Sequence, residues 1–307
     1  MSLLVIGSAA FDSIQTPCGS RNRVIGGSGV YAAYAASFFT PARLVSVVGE
    51  DWPEAYTKRL QKRAIDLEGL EVRSGVQTLS WTGRYFENLN ERETLEIRLN
   101  VMGEEYRPLV PRPYRDSQFV LLANGSPVSH LDLLSKMTAK PRLTVADTMD
   151  FYIQNTPEPL RKLLRQIDGL ILNDSEARLL TDEKNTITAA RRILDMGPAF
   201  VIVKKGENGA FYISKAQGAS AEIRLIPAFP SEKVVDPTGA GDSFAGALMG
   251  ALAAKGKSDP ESIIAAMARA TVVASFNVEG FSLERLETLT GDEIESRLSA
   301  FRTMITF

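Results

Sequence analysis

The 307-residue sequence predicts an α/β fold: a mainly parallel central sheet covered by helices on both faces. Three observations carry that expectation. Short, continuously apolar runs rich in β-branched residues recur along the chain. Helix-like segments fall between them. After about Phe229 the pattern becomes mostly helical, ending in DEIESRLSAFRTMI. Six runs suit strands buried on both sides: LLVIGS (3–8), RLVSVVG (43–49), FVLLANG (119–125), RLTVAD (142–147), GLILN (169–173) and FVIVKKG (200–206). Helices are expected at 29–39, 157–167, 175–180 and 188–197.

One stretch breaks the rhythm. Leu79, Trp81 and Tyr85 of TLSWTGRYFE fall at period two, as do Leu95, Ile97 and Leu99 of ETLEIRLN. The intervening NLNER is turn chemistry, in which Asn tolerates left-handed backbone. The pattern is an antiparallel hairpin with one apolar face. Two placements suit it: an edge hairpin of the main sheet, or a small β flap over a cleft. No repeat or low-complexity linker interrupts the chain, so one domain over 1–307 is expected.

Composition narrows the function classes. A formal net charge of −2, with Lys and Arg scattered, offers no footprint for nucleic acid or an anionic membrane. The single Cys18 precludes an intrachain disulfide and suits a reducing cytoplasm. One histidine, His130, leaves little for a His-rich metal site or a Ser/His/Asp triad. Neither a run of about 20 apolar residues nor a basic n-region is present, and MSLLVIGSAAFD reads as a first strand.

The densest chemistry lies in VVDPTGAGDSFAGALMGALAA (234–254). Pro237 sets a turn that ends at Thr238 or Gly239, and a helix is expected to start near Gly241. Glycines there expose the backbone N–H groups of 239–242, and a helix start carries unpaired donors and a partial positive charge. The small residues Ala245, Gly246, Ala247, Gly250 and Ala251 let the helix pack closely against a neighbour. Asp242 then sits where an anion would bind. It could take a proton from an attacking hydroxyl while the N–H groups steady a phosphoryl group. The plainer alternative is a cap beside a tight turn.

DPTGAGDSFAGAL closely resembles the C-terminal signature of the ribokinase-like (PfkB-type) sugar kinases, D-T/P-T-G-A-G-D-x-F-x-G, and the resemblance extends over essentially the whole chain. VIGSAAFD is similar to the family's first strand, GGSGVYAA (26–33) to its di-glycine motif, LNDSEARLL (172–180) to its N-x-x-E motif, and VKKGENGAFYI (203–213) to its nucleotide-phosphate strand and turn. The resemblance implies a three-layer ribokinase-like sandwich with a small β lid formed by about 13–25 and 78–100. It implies ATP-dependent transfer of the γ-phosphoryl group to an alcohol of a small polyhydroxylated molecule. Position by position, Asp242 would be the base, with the N–H groups of Gly239, Ala240 and Gly241 as the anion hole. Asn173 and Glu176 would act on Mg2+ through its water shell, and Lys204, Gly206 and Gly209 would lie near the nucleotide. Asp12, Gly26, Gly27 and Tyr31 would hold the acceptor. Asp236 and Thr238 would help form a monovalent-cation loop, with K+ the candidate ion. In some members the lid also serves as a homodimer interface.

Each assignment has a plainer rival. Asn173 and Glu176 also suit a helix cap pair. Lys205 competes with Lys204, and Asp12 could be a turn residue, although ligands favour that end of a first strand. His130 and Cys18 are read as ordinary, Phe244 and Phe276 as core. Tyr31 stands where sugar-specific members carry Asn, which alters the hydroxyls that can be read and leaves room for a nucleoside or a cyclitol. Asp147, at a strand end, is expected to edge the acceptor or metal pocket. ASFNVEGFS (274–282) departs from the usual apolar-Gly-Ala run near the adenine and cation loops. Two other classes remain for comparison. A catalytically silent nucleotide- or polyol-binding module would be expected to lose Asp242, which is intact. A Rossmann dehydrogenase would need G-x-G-x-x-G after the first strand, and neither that nor a Walker A string is present.

Overall fold

The computed structural model describes residues 1–103, 106–215 and 222–305. The strands are β1 (Leu3–Ile6), β2 (Ala10–Thr16), β3 (Gly19–Gly26), β4 (Ala42–Gly49), β5 (Ile65–Arg73), β6 (Leu79–Tyr85) and β7 (Arg92–Arg98). They continue as β8 (Phe119–Leu122), β9 (Leu143–Asp147), β10 (Gly169–Asn173), β11 (Phe200–Lys204), β12 (Ala210–Ser214) and β13 (Glu222–Ile226). The helices are α1 (Ser28–Ala36), α2 (Glu54–Gln61), α3 (Pro127–Ser135), α4 (Asp150–Asn155), α5 (Pro157–Leu164) and α6 (Asp174–Thr181). The last five are α7 (Thr186–Met196), α8 (Ala240–Lys255), α9 (Pro260–Asn277), α10 (Glu284–Thr288) and α11 (Gly291–Met304).

Nine strands form one sheet in the order β13-β12-β11-β10-β9-β8-β1-β4-β5. Those from β11 to β5 are parallel; β12 and β13 close one edge antiparallel. The six runs read as buried strands all lie within it. Alternation divides each of them between two cores. Leu3 and Val5 of β1 face the side covered by α1, α8 and α9, whereas Leu4 and Ile6 face that covered by α3, α5, α6 and α7. The three layers of the expected fold are therefore present. The strands β5, β12 and β13 and the helix α2 were not anticipated. β5 and β13 have half-exposed faces that break the continuous apolar runs that marked the others, whereas β12 is buried throughout and lies directly behind the turn of VKKGENGAFYI.

The hairpin is not an edge of this sheet. β6 and β7 pair with β2 and β3 in a separate four-stranded sheet, ordered β3-β2-β6-β7. β2 and β6 run parallel in it, and the outer pairings are antiparallel. The left-handed residue of the NLNER turn is Leu89 (φ 54°) and not an Asn. Asn88 instead accepts the N–H groups of Asn90 and Glu91, each at 3.2 Å, in the role its short amide suits.

Small residues hold α8 against α1. A Cβ at Gly246 would lie 2.0 Å from the Ala32 carbonyl oxygen, and one at Gly250 would lie 2.7 Å from that of Ala36. α8 starts at Ala240, one residue before the expected position, with Gly239 as its N-cap. Among the described residues, no helix is long and apolar enough to cross a membrane.

Candidate active site

The carboxyl ends of parallel strands are where such sheets place ligands. At that edge Asp147 closes β9, Asn173 closes β10 and Lys204 closes β11, with Asn173 and Lys204 side by side in register. Lys204 Nζ donates to Asp147 Oδ2 at 2.8 Å, and Asp147 Oδ1 accepts the Thr148 N–H at 2.8 Å. Both side chains are largely buried, at 18% and 5% exposure. Lys205 is exposed, whereas Lys204 is the lysine that pairs with Asp147.

Lys204 also reaches the start of α8, because a Cβ on Gly241 would lie 3.0 Å from its Nζ. Burial pulls the Lys204 ammonium towards neutrality, but Asp147, Glu176 and Asp242 outweigh burial and raise its pKa. Asp242 is half-buried beside it. Burial, then the Asp147 charge, push the Asp242 carboxyl up to about 6, against Lys204 and Arg92. A carboxylate poised there is ionised at neutral pH yet basic enough to take a proton.

Gly239 is left-handed (φ 75°), and α8 has no side-chain cap. A Cβ on Gly239 would meet the buried Tyr31 ring at 2.5 Å. Tyr31 thus packs against the turn, a contact with no signal in the sequence. Of the four N–H groups at 239–242, that of Ala240 is already given to the Pro237 carbonyl at 3.1 Å. The Ala240 N–H, expected in the anion hole, thus has a carbonyl partner inside the turn.

Asp12 comes from β2 in the small sheet. A Cβ on Gly26 would lie 2.0 Å from its Oδ2. Burial pushes Asp12 up to about 7, and the charges of Asp236 and Asp242 add to that; the Gly27 N–H and the Tyr31 hydroxyl oppose it. Gly27 sits at φ 97°, where a Cβ would come 2.4 Å from the Ser8 carbonyl oxygen. Asp12, Gly26, Gly27 and Tyr31 are therefore one cluster within electrostatic reach of Asp242.

Asn173 and Glu176 do form the cap pair. Asn173 Oδ1 accepts the Glu176 N–H at 2.8 Å, and Glu176 Oε2 accepts the Asn173 N–H at 2.7 Å. Glu176 nevertheless belongs electrically to the site. Burial and the Asp147 charge push its carboxyl up, Asp150 adds to them, and Lys204 opposes. Among the described residues no cluster of three acidic, His or Cys side chains could cage a metal ion directly. Asp147, Asp150, Glu176 and Asp242 outnumber the one Lys204 ammonium among them, and such an excess of carboxylates suits a hydrated divalent cation in the outer sphere.

The hairpin reaches this edge too. Thr238 Oγ1 donates to the Tyr85 hydroxyl at 3.2 Å. At the tip, Asn90 Nδ2 donates to Glu207 Oε1 at 3.2 Å, beside the turn of Gly206 (φ 54°) and Gly209 (φ 80°), where Lys205 gives its N–H to the Gly209 carbonyl at 2.7 Å. Arg92 adds positive charge near Asp242. Neither Tyr85 nor Arg92 could be assigned from sequence, since a period-two strand offers no sign of what its far face meets. Phe244 and Phe276 are core, as expected. Asp236 is fully buried, and Thr238 nearly so.

The chain is similar to known kinases in sequence and in fold. The sequence is 28% identical to a cytidine kinase of Thermococcus kodakarensis over 254 residues, which cover 81% of this chain and 87% of that one. The fold matches the nucleoside kinase of Methanocaldococcus jannaschii, an archaeal member of the ribokinase family, with a TM-score of 0.75 at 22% identity, covering 98% and 99% of the two chains. It also matches an Escherichia coli structure in complex with ATP and Mg2+, with a TM-score of 0.77 at 19% identity and coverage of 97% and 99%. Residues 2–284 match the pfkB family carbohydrate kinase profile, and the chain belongs to that family of phosphotransferases with an alcohol acceptor.

Proposed function

We propose that the protein transfers the γ-phosphoryl group of ATP to a hydroxyl of a sugar or nucleoside, with Asp242 as general base. The observation that carries this reading is the start of α8. There a basic, ionised carboxylate, an uncapped set of N–H groups and the Lys204 ammonium converge, facing the Asp12 cluster. Asp12, with the Gly26–Gly27 backbone, holds the acceptor. Asp242 takes the proton of the attacking hydroxyl as its oxygen bonds to the γ-phosphorus and the bond to the ADP oxygen breaks. The N–H groups of Gly239, Gly241 and Asp242 hold the transferring charge, and Lys204 adds to that field. Mg2+, placed by Asp147 and Glu176 through water, would neutralise the phosphates. Gly206 and Gly209 give the nucleotide turn its shape, and the small sheet acts as a lid that excludes water. Localisation in the cytoplasm and pairing through that lid are part of the same reading.

A positioned base is worth about 10²–10⁴-fold, whereas a helix terminus alone contributes about 0.3–2 kcal/mol. Asp242 thus contributes more to the rate than the helix start beside it. The acceptor is tested by offering sugars, nucleosides and cyclitols with ATP and Mg2+ and following ADP release. Acceptor-dependent ADP release from a sugar or nucleoside is expected. Binding of the panel by thermal shift without any ADP would instead mark a silent binding module.

A further inference from the structure

We infer that the Asn277 side-chain amide stands in for a monovalent cation at the phosphoryl-binding turn, so that the turn is held without K+. The family resemblance places Asp236 and Thr238 in a cation loop, but the oxygen atoms that would ligate an ion there are already engaged by protein donors. Asn277 Nδ2 donates to the Thr238 carbonyl at 2.8 Å. The Asp236 carboxylate is used on both sides: Oδ1 accepts the Thr238 N–H at 2.9 Å and Oδ2 the Ser282 N–H at 3.3 Å. The Val278 carbonyl takes the N–H groups of Val235 at 2.7 Å and Asp236 at 3.2 Å.

Asn277 is also anchored from the other end. Its Oδ1 accepts the Ser243 hydroxyl at 3.0 Å, and Ser243 lies in the first turn of α8, directly after Asp242. Asn277 and Ser243 are 1% and 0% exposed. One amide therefore clamps the carbonyl entering the Gly239 turn to the helix that leaves it. An ion entering this space would displace the amide and strand buried donors, each at a cost of about 1–3 kcal/mol. A cation supplies positive charge to carbonyl oxygens; an amide N–H supplies a donor to the same atom with no ion to bind or lose. Asn277 is the fourth residue of ASFNVEGFS, the segment expected to lie near the cation loop.

The inference rests on the proposed function only for what the clamp does to turnover. The test measures ADP release in tetramethylammonium, sodium and potassium chloride at equal ionic strength, together with melting temperature in the same salts. Wild-type turnover and melting temperature are expected to be the same in all three. Asn277→Asp keeps an acceptor for Ser243 but sets a carboxylate against the Thr238 carbonyl with no donor between them. Its kcat is expected to fall roughly tenfold or more in tetramethylammonium and to recover with K+, at unchanged acceptor KM. K+-dependent turnover of the wild type, or a K+-specific rise in its melting temperature, overturns the inference. So does a folded Asn277→Asp protein whose turnover is normal without K+ or is not rescued by it. If that variant does not fold, the wild-type salts decide alone. Should no acceptor be phosphorylated, the proposed function fails, while the melting series still reads the loop.

Discussion

The helices α6 and α8 start at the same edge of the sheet and end their chains of hydrogen bonds in opposite ways. α6 is closed: Asn173 and Glu176 satisfy each other's N–H groups reciprocally. α8 is open: its N-cap is a left-handed glycine with no side-chain acceptor. A good cap is worth about 0.5–2 kcal/mol, so α8 forgoes stabilisation that α6 takes. Packing offsets the loss, through Gly246 and Gly250 pressed onto the backbone of α1. The comparison teaches that an unfilled helix start, held rigid from behind, is free for an anion. A filled one contributes only through the side chains that fill it.

Removing the proposed base at the open end should have the largest effect. Asp242→Asn is expected to lower kcat by about 10²–10⁴-fold with little change in ATP KM. Wild-type kcat should fall as pH drops through about 6, because Asp242 must be ionised to act. Its folded-state pKa lies above its ordinary value, so the stability linked to it is complete at low pH and is lost as pH rises towards 6. Asp242→Asn should therefore melt higher than wild type at pH 7–8, in the opposite direction to its activity. A variant that keeps near-normal turnover removes the base assignment.

Filling the open end comes next. Gly239→Ser adds a Cβ at φ 75°, against the Tyr31 ring at 2.5 Å, and brings a hydroxyl of the kind that caps helices. The strain should cost about 1–3 kcal/mol of stability, and turnover should fall at least roughly tenfold as the turn shifts. Urea unfolding and ADP release on one preparation separate the two effects. A variant both stable and active would show that the turn need not be left-handed or open.

Legibility follows the same division. The open end was plain in the sequence because its chemistry is local: DPTGAGD places turn, glycines and carboxylate within seven consecutive residues. The closed end read as a cap from its own residues and as a site once the downstream signature was counted; the cap is present, and the Glu176 carboxyl feels the charges of Asp147 and Lys204. The Asp147–Lys204 pair spans 57 residues and exists only through strand order. The expectation at Asp147 got as far as a pocket edge, and the pairing of Lys204 rather than Lys205 with it needed the register of β11. The Asn277 clamp and the packing of Tyr31 on Gly239 arise where α9 and α1 cross the turn. No periodicity encodes such crossings. The half-exposed β5 and β13 were missed because strands covered on one side lack the continuous apolar signal of buried ones.

The smallest effect tests the closed end. In Glu176→Gln, glutamine still accepts the Asn173 N–H, since the capping geometry tolerates either residue, but the charge is gone. The native state holds the Glu176 carboxyl above its ordinary pKa, so loss of the charge should leave the melting temperature at pH 7.5 unchanged or higher. If Glu176 also steers hydrated Mg2+, the half-saturating Mg2+ concentration for turnover should rise roughly three- to tenfold, the scale of one screened charge acting through water. Unchanged Mg2+ dependence would make α6 a capped helix and nothing more. The contrast with α8 would then be complete: one helix start for structure and one for chemistry. A shifted dependence would show that a closed end still contributes through the charge of the residue that closes it.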